Sequence, residues 1–206
     1  MNICAKVFEH GNFKGKSRWV LDEETSYGLL GFNDEVSSII VYRTSKYQRE
    51  LMTFCDQAAG DWGLRLKPGE HTKLRKTLGS GDRSISFNDK ISSNFKSEPD
   101  RVLPNDDFPT LHLPLIVTVF EHAHYQGQYR RILESEPTLS SLDFNDKISS
   151  IKVEKGPDYE EGWLCSLFVH SNFEDERELL APGNKPLLNY RNDKVSSIKI
   201  WKPVGK

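Results

Sequence analysis

Four hexapeptides in this 206-residue sequence gather oxygen donors: Asn33–Ser38 (NDEVSS), Asn88–Ser93 (NDKISS), Asn145–Ser150 (NDKISS) and Asn192–Ser197 (NDKVSS). All read Asn-Asp-x-(Val or Ile)-Ser-Ser. Each supplies an amide oxygen, a carboxylate, two hydroxyls and main-chain carbonyls, with no thiol or imidazole. That is a hard donor set, and it suits a hard cation such as calcium, which takes six to eight oxygens at about 2.3–2.6 Å. The competing reading of one such loop is an Asx turn followed by a strand, with no ion. Four copies in one chain make coincidence a poor explanation. Each loop brings one carboxylate at the shared Asp position, where a dedicated calcium loop brings several, so the expected affinity is weak, on the order of 10⁻⁶ to 10⁻³ M.

The elements that position these loops repeat with them. Val7–Tyr42 aligns without gaps on Val119–Glu154 at an offset of 112, with 16 of 36 positions identical. The first begins VFEHGNFKG and the second VFEHAHYQG. A third copy begins LFVHSNFED at Leu167 and runs to Asn192. From the first aromatic to Asn-Asp the spacing is 25 residues from Phe8, 25 from Phe120 and 24 from Phe168. In the remaining copy Phe54 is the expected aromatic, at a spacing of 34, with an insertion around Leu64 to Asp82. The copies that begin at Val7 and Val119 are the most alike although they are not neighbours, the pattern left by duplication of a two-repeat unit. The segment 98–114 carries Pro99, Pro104, Pro109 and Pro114 without periodicity and reads as a linker. The expectation is two domains, 1–97 and 115–206, of two repeats each.

Each hexapeptide runs into strict alternation. Ile151 and Val153 share one face with Lys152 on the other, and Ile198 and Ile200 flank Lys199 in the same way. Period two with β-branched residues predicts half-buried strands. Gly15 and Gly127 follow an aromatic by two positions, where a tight hairpin needs positive φ. About four short strands fit each repeat, so each domain is expected to be an all-β two-sheet sandwich. Tyr27 to Leu30 and Glu134 to Leu142 leave room for a short helical turn. Alanine occurs only five times, in keeping with little helix.

The openings (Phe8, Phe13, Gly15; then Phe120, Tyr125, Gly127) and the Asn-Asp-x-x-Ser-Ser endings resemble the βγ-crystallin Greek key over nearly the whole chain outside the linker. The resemblance implies an all-β protein of two βγ-crystallin-like domains, each a β-sandwich of two Greek key motifs. It also implies calcium sites shared between paired repeats. One loop supplies the Asp side chain and carbonyls, the partner supplies its first Ser hydroxyl, and a hairpin carbonyl at Glu9 or Glu121 adds another oxygen. By that analogy Asp34 works with Ser92, Asp89 with Ser37, Asp146 with Ser196 and Asp193 with Ser149, beside Asn33, Asn88, Asn145 and Asn192. Four sites, two per domain, are the ceiling. Lens members of the family mostly lack this signature, so the full set looks more like the calcium-binding members outside the lens. Three departures stand out: Asp175 replaces the hairpin Gly, Arg191 replaces the Phe that precedes the other signatures, and Asn94 stands where other copies have Ile39, Ile151 and Ile198, predicting a weaker last strand.

The rest of the sequence narrows the function class. Lys plus Arg is 28 against 30 Asp plus Glu, for a net charge of -2, which argues against nucleic acid as a partner. No apolar run nears the roughly 20 residues of a membrane helix. The N-terminus shows no signal-peptide pattern, and Cys4, Cys55 and Cys165 form no disulfide framework, so a cytoplasmic, reducing setting is expected. No GxSxG, Walker loop, HExxH or dinucleotide fingerprint occurs, and no Cys-His pair has dyad spacing, so the protein is read as a non-enzyme. His10, His122 and His170 recur at one repeat position and read as surface residues rather than a zinc site. Trp19, Trp62, Trp163 and Trp201 read as packing aromatics, with sugar stacking by Trp62 and Trp163 as the lesser alternative. The runs Arg43 to Arg49 and Lys67 to Lys76 read as solvated basic faces. The expected function is a calcium-binding structural, stability or buffering protein. A calcium-dependent adhesion, carbohydrate or membrane-associated module is the alternative. A secreted inhibitor or toxin fits poorly with three unpaired Cys. Pairing of domains between chains would give a homodimer.

Overall fold

The structure is a computed structural model and describes residues 1–24, 26–56, 63–72, 74–77, 84–86, 90–91, 93–97, 108–175, 177–189 and 192–203. The chain divides into two compact units, Met1–Leu111 and His112–Lys206. Of the segment expected as a linker, 98–107 lies outside the described residues. Phe108–Leu111 belongs to the first unit, where Arg43 N–H donates to Pro109 O (3.0 Å) and Leu111 N–H to Arg43 O (2.9 Å). His112–Pro114 belongs to the second, where Leu113 is fully buried and Gly156 N–H donates to Pro114 O (2.9 Å).

The first unit contains β1 (Ile3–His10), β2 (Lys14–Val20), β3 (Glu23–Glu24), β4 (Ser38–Arg43), β5 (Leu51–Cys55), β6 (Gly63–Leu66), β7 (Gly69–His71), β8 (Arg75–Thr77), β9 (Ser84–Ser86) and β10 (Ser93–Ser97). One sheet has the order β2-β1-β4-β7 and the other β3-β10-β5-β6. Thus β7, from the second repeat, completes the first repeat's sheet, and β3, from the first, completes the second's. The second unit contains β11 (Leu115–His122), β12 (Gln126–Ile132), β13 (Ser150–Lys155), β14 (Leu164–Phe168), β15 (Arg177–Leu180), β16 (Gly183–Lys185) and β17 (Ser197–Trp201). Its sheets run β12-β11-β13-β16 and β15-β14-β17. The exchange recurs: β16 joins the third repeat's sheet, while Glu136 N–H donates to Ile198 O (2.8 Å) and Ile198 N–H to Glu136 O (3.0 Å). A short 3-10 turn, Leu139–Leu142, is capped by the Thr138 side chain.

Alternation buries one face of every sheet. In the second unit Val117, Val119, Ile151 and Val153 from one sheet close on Cys165, Leu167 and Ile198 from the other, with Phe144 and Ile148 in the same core. The opening hairpins of the first, third and fourth repeats each take a left-handed residue, Gly15 (φ 79), Gly127 (φ 80) and Asp175 (φ 71). The Asp without a hairpin Gly therefore keeps the same backbone, since a short polar side chain tolerates this region better than most.

Two expectations for the second repeat are corrected by strand register. Phe8, Phe120 and Phe168 each stand opposite the second Ser of a signature, at Ser38, Ser150 and Ser197. Opposite Ser93 stands Cys55, and Phe54 faces Asn94. Phe54 therefore occupies the inward place of Val7, wholly buried, and a thiol takes the aromatic's place. The insertion also starts later than Leu64, because Gly63–Leu66 pairs with β5 and Gly69–His71 with β4. The additional element is the β8–β9 hairpin.

Asn94 does not break its strand. It is 3% exposed and fully used: Tyr27 Oη donates to its Oδ1 (2.7 Å) and its Nδ2 donates to Leu21 O (2.8 Å). A buried amide with both ends satisfied costs little, but one stripped of its donor costs about 1–3 kcal/mol. Tyr27→Phe is therefore expected to destabilise the folded chain by about 1–3 kcal/mol in urea unfolding. A change below a few tenths would show that Asn94 finds another donor.

Candidate metal sites

Two of the loops that carry the signatures, those at Asn33 and Asn145, are held by buried arginines. Arg130 Nε donates to Leu142 O (2.8 Å), and its guanidinium lies 4.6 Å from the centre of the Phe144 ring, the residue before Asn145. Arg18 repeats this on Leu30 O (3.0 Å) and the Phe32 ring (5.0 Å), just before Asn33. Both arginines are 2% exposed. These positioning residues were missed in the sequence, although Arg18 and Arg130 are one of the identical pairs in the two longest copies.

Within each loop the Asp is left-handed: φ is 56° at Asp34, 52° at Asp146 and 54° at Asp193. The preceding Asn amide donates to the outer carboxylate oxygen, at 2.7 Å from Asn33, 2.6 Å from Asn145 and 2.8 Å from Asn192. The loops of a unit then bond to each other through the main chain. Asp146 N–H donates to Val195 O (3.1 Å) and Asp193 N–H to Ile148 O (3.1 Å). The first unit has the same link from Asp34 N–H to Ile91 O (3.3 Å).

The two serines have different tasks. The second begins the strand and staples its own hairpin. Ser38, Ser150 and Ser197 donate to His10 O (2.7 Å), His122 O (2.6 Å) and His170 O (2.6 Å). The same hydroxyls accept from the N–H of Phe13, Tyr125 and Phe173 at 3.0, 3.0 and 3.1 Å. The first serine reaches across to the partner loop. Ser196 Oγ lies 3.2 Å from Asp146 Oδ1, and Ser149 Oγ lies 3.3 Å from Asp193 Oδ1. Ser149 Oγ is also 2.8 Å from Glu121 O.

Three oxygens thus meet at Ser149, Asp193 and the Glu121 carbonyl, and the hydroxyl's single proton has two acceptors. Adjacent oxygens around a six-coordinate calcium ion stand about 3.4 Å apart, so the spacing of hydroxyl and carboxylate suits such a ligand set. Asn192 Oδ1 is buried with no donor, a further acceptor surplus in the same loop. The residues present fit a hard cation. The Glu9 and Glu121 side chains turn elsewhere, accepting from the N–H of Lys16 (3.1 Å) and Gln128 (3.2 Å), so only their carbonyls are candidates. In the first unit Ser37 N–H donates to Phe8 O (2.9 Å), matching Ser149 on Phe120 O (2.9 Å). Asn88, Asp89 and Ser92 lie outside the described residues, as do Arg191 and Trp62.

Other chemistry finds less support. Among the described residues no three His, Cys, Asp or Glu side chains converge as metal ligands. His10, His122 and His170 are exposed on separate hairpins, and His170 Nε2 lies 3.0 Å from Asp175 Oδ2. None of the three cysteines is in a disulfide, and complete burial pushes the Cys165 thiol up to about 12, away from any nucleophilic role. Trp19 is buried, Trp163 packs against the core, and Trp201 Nε1 donates to Ser166 Oγ (2.8 Å). No helix among the described residues is long and apolar enough to cross a membrane.

The sheets and loops define a protein of paired Greek key repeats, and comparison with known proteins gives the family. Residues 116–201 match the family model described as Beta/Gamma crystallin. Among the similar solved structures are three βγ-crystallins. One is a βγ-crystallin from an archaeon, at 24% identity over 42% of this chain and 98% of that chain, TM-score 0.36. A second is a βγ-crystallin from Ciona intestinalis, at 27% identity over 42% and 99%, TM-score 0.37. The third is a double mutant of a βγ-crystallin domain from Clostridium beijerinckii, at 30% identity over 42% and 96%, TM-score 0.35. No curated protein matches. Residues 116–201, within the second unit, are thus a beta/gamma-crystallin region.

The separate tasks of the serines make opposite predictions for neighbouring residues. Ser150→Ala removes a staple with two partners and is expected to cost about 1–3 kcal/mol in chemical unfolding without metal. Ser149→Ala removes a crossing hydroxyl shared between two acceptors and is expected to cost less. Equal losses would contradict the division.

Proposed function

We propose that this protein is a non-enzymatic, calcium-binding βγ-crystallin whose ions stabilise the pairing of its repeats. The observation that carries the reading is the meeting of the Ser149 hydroxyl, the Asp193 carboxylate and the Glu121 carbonyl with one proton among them. A cation there would replace a hydrogen bond that cannot satisfy both acceptors. Asp146 and Ser196 would hold a second ion in the same unit. Asp34 and Ser37 occupy equivalent places in the first unit, and Asp89 and Ser92 complete its pairs by sequence.

Calcium is redox-inert in this setting, and the ligands are one carboxylate and neutral oxygens per loop. The consequence is linkage: an ion that binds only the folded form adds stability as its concentration rises. One site contributes about 2.7 kcal/mol at 100 times its Kd. Because each ion would bridge two repeats, that stabilisation falls on the contact between repeats, where the loops already bond to each other. A structural role follows directly, and calcium buffering follows where the protein is abundant.

Calorimetric titration of the metal-free chain with calcium tests this. Heat of binding and a calcium-dependent rise in Tm are expected, with Asp193→Asn removing one binding event and part of the rise. No heat and no rise would overturn the reading.

A further inference from the structure

The basic run Arg43 to Arg49 is not merely a solvated face. Its residues line a cavity of about 470 Å³ in the first unit, bordered by Arg43, Thr44, Tyr47, Gln48, Arg49 and Thr110. That volume lies within the range of small-ligand sites. Here the lining is polar and cationic rather than apolar.

The two guanidiniums are placed differently. Arg43 ends β4, and its main chain is fixed on both sides by Pro109 O and Leu111 N–H. Its Nε donates to Thr110 Oγ1 (2.7 Å), which leaves the two terminal nitrogens for another acceptor. Neither Arg43 nor Arg49 forms an ion pair with a carboxylate among the described residues. The nearby acid, Glu50, is 3% exposed and already engaged by Asn2 Nδ2 and by Gln48 N–H (2.7 Å). Tyr47 lies between the arginines. Burial and then Glu50 push its hydroxyl up from the ordinary value, while Arg43 and Arg49 both pull it down, and all three side chains border the same cavity. Phe108 packs edge-on against Tyr47 and carries Lys67 Nζ over its face at 5.4 Å.

Comparison of the two units shows that this charge is not required by the fold. Arg49 stands two residues before β5 and Gly162 two residues before β14, at strand starts equivalent by register. Both are left-handed, with φ 77° at Arg49 and 96° at Gly162. Glycine is the unstrained choice there, so the first unit holds a guanidinium against local backbone preference. The connection Arg43 to Glu50 carries three cations and one carboxylate, whereas Lys155 to Gly162 carries one cation and three carboxylates. Only the first unit's connection is electropositive.

We propose that this cavity binds a phosphate group, with Arg43 and Arg49 as the pair of cations and the Thr110 hydroxyl orienting Arg43. Guanidinium pairs match the oxygens of a phosphate, and a dianion answers two cations that have no carboxylate partner among the described residues. The carrier is either free phosphate or a small phosphate monoester. The proposal is independent of the calcium loops.

The test is titration of the full chain with inorganic phosphate and, separately, glycerol 3-phosphate. A chelator is present and ionic strength is held constant with chloride. Binding is followed by NMR shifts and Tm. Saturable shifts at Arg43, Tyr47 and Thr110 are expected, with a rise in Tm. Arg49→Gly is expected to weaken binding by about tenfold or more, the loss of one charge-assisted pair. Its ligand-free Tm should equal or exceed that of the parent, because glycine suits the backbone there. Thr110→Val should weaken binding by a smaller factor. Tighter binding of the ester would identify a phosphorylated small molecule, and equal binding the ion itself; both support the site. Absence of saturation, an equal response to chloride, or an unchanged response in Arg49→Gly would each overturn it.

Discussion

Neither loop in a pair of repeats can satisfy its own backbone. The Asp146 N–H is answered by Val195 O in the other repeat, and the Asp193 N–H by Ile148 O in return. Each such bond is worth about 0.5–1.5 kcal/mol net, so the reciprocal pair favours association of the repeats over a lone repeat. The exchanged strands impose the same condition on the sheets, since β16 and Glu136 each complete a ladder belonging to the other repeat. Pairing of repeats is thus built into the hydrogen bonding, and the crossing serines lie on the line where the repeats meet.

That constraint explains why oxygens collect where they do. Once the loops are locked, the left-handed Asp directs one carboxylate oxygen to its own Asn and the other across the pair. The first Ser, just ahead of the strand, can face it, while the second is committed to the hairpin. The calcium chemistry proposed for the loops requires no element beyond those that already join the repeats. Divergence is found away from this seam. Asn94 replaces an apolar core residue and gains a Tyr27 partner, and Arg49 replaces a glycine and gives the first unit a cationic cavity.

Much of this was legible because repetition exposes what a fold needs. The hairpin glycines, the Asn-Asp and Ser-Ser pairs and the alternating strands recur, and the structure puts them in matching places. The structure brings Asp146 to Ser196 and Asp193 to Ser149 across the pair. The second repeat resisted because its landmark aromatic is absent. A search for an aromatic finds Phe54, but register is decided by what faces Ser93, and that is Cys55. A slip of one residue along a strand exchanges its inner and outer faces, and only the ladder reveals it. Arg18 and Arg130 were visible as identities without a role, since alignment does not show that a guanidinium lies behind a loop. The cavity was hidden because Thr110 lies far along the chain from Arg43 and meets it only through the segment at Pro109 and Leu111.

The most direct test of calcium in the paired loops is anomalous diffraction from crystals grown with calcium. A peak is expected beside Ser149 Oγ, Asp193 Oδ1 and the Glu121 carbonyl, at about 2.3–2.6 Å from each. Loops without a peak at saturating calcium, with Ser149 still donating to Glu121, would contradict it.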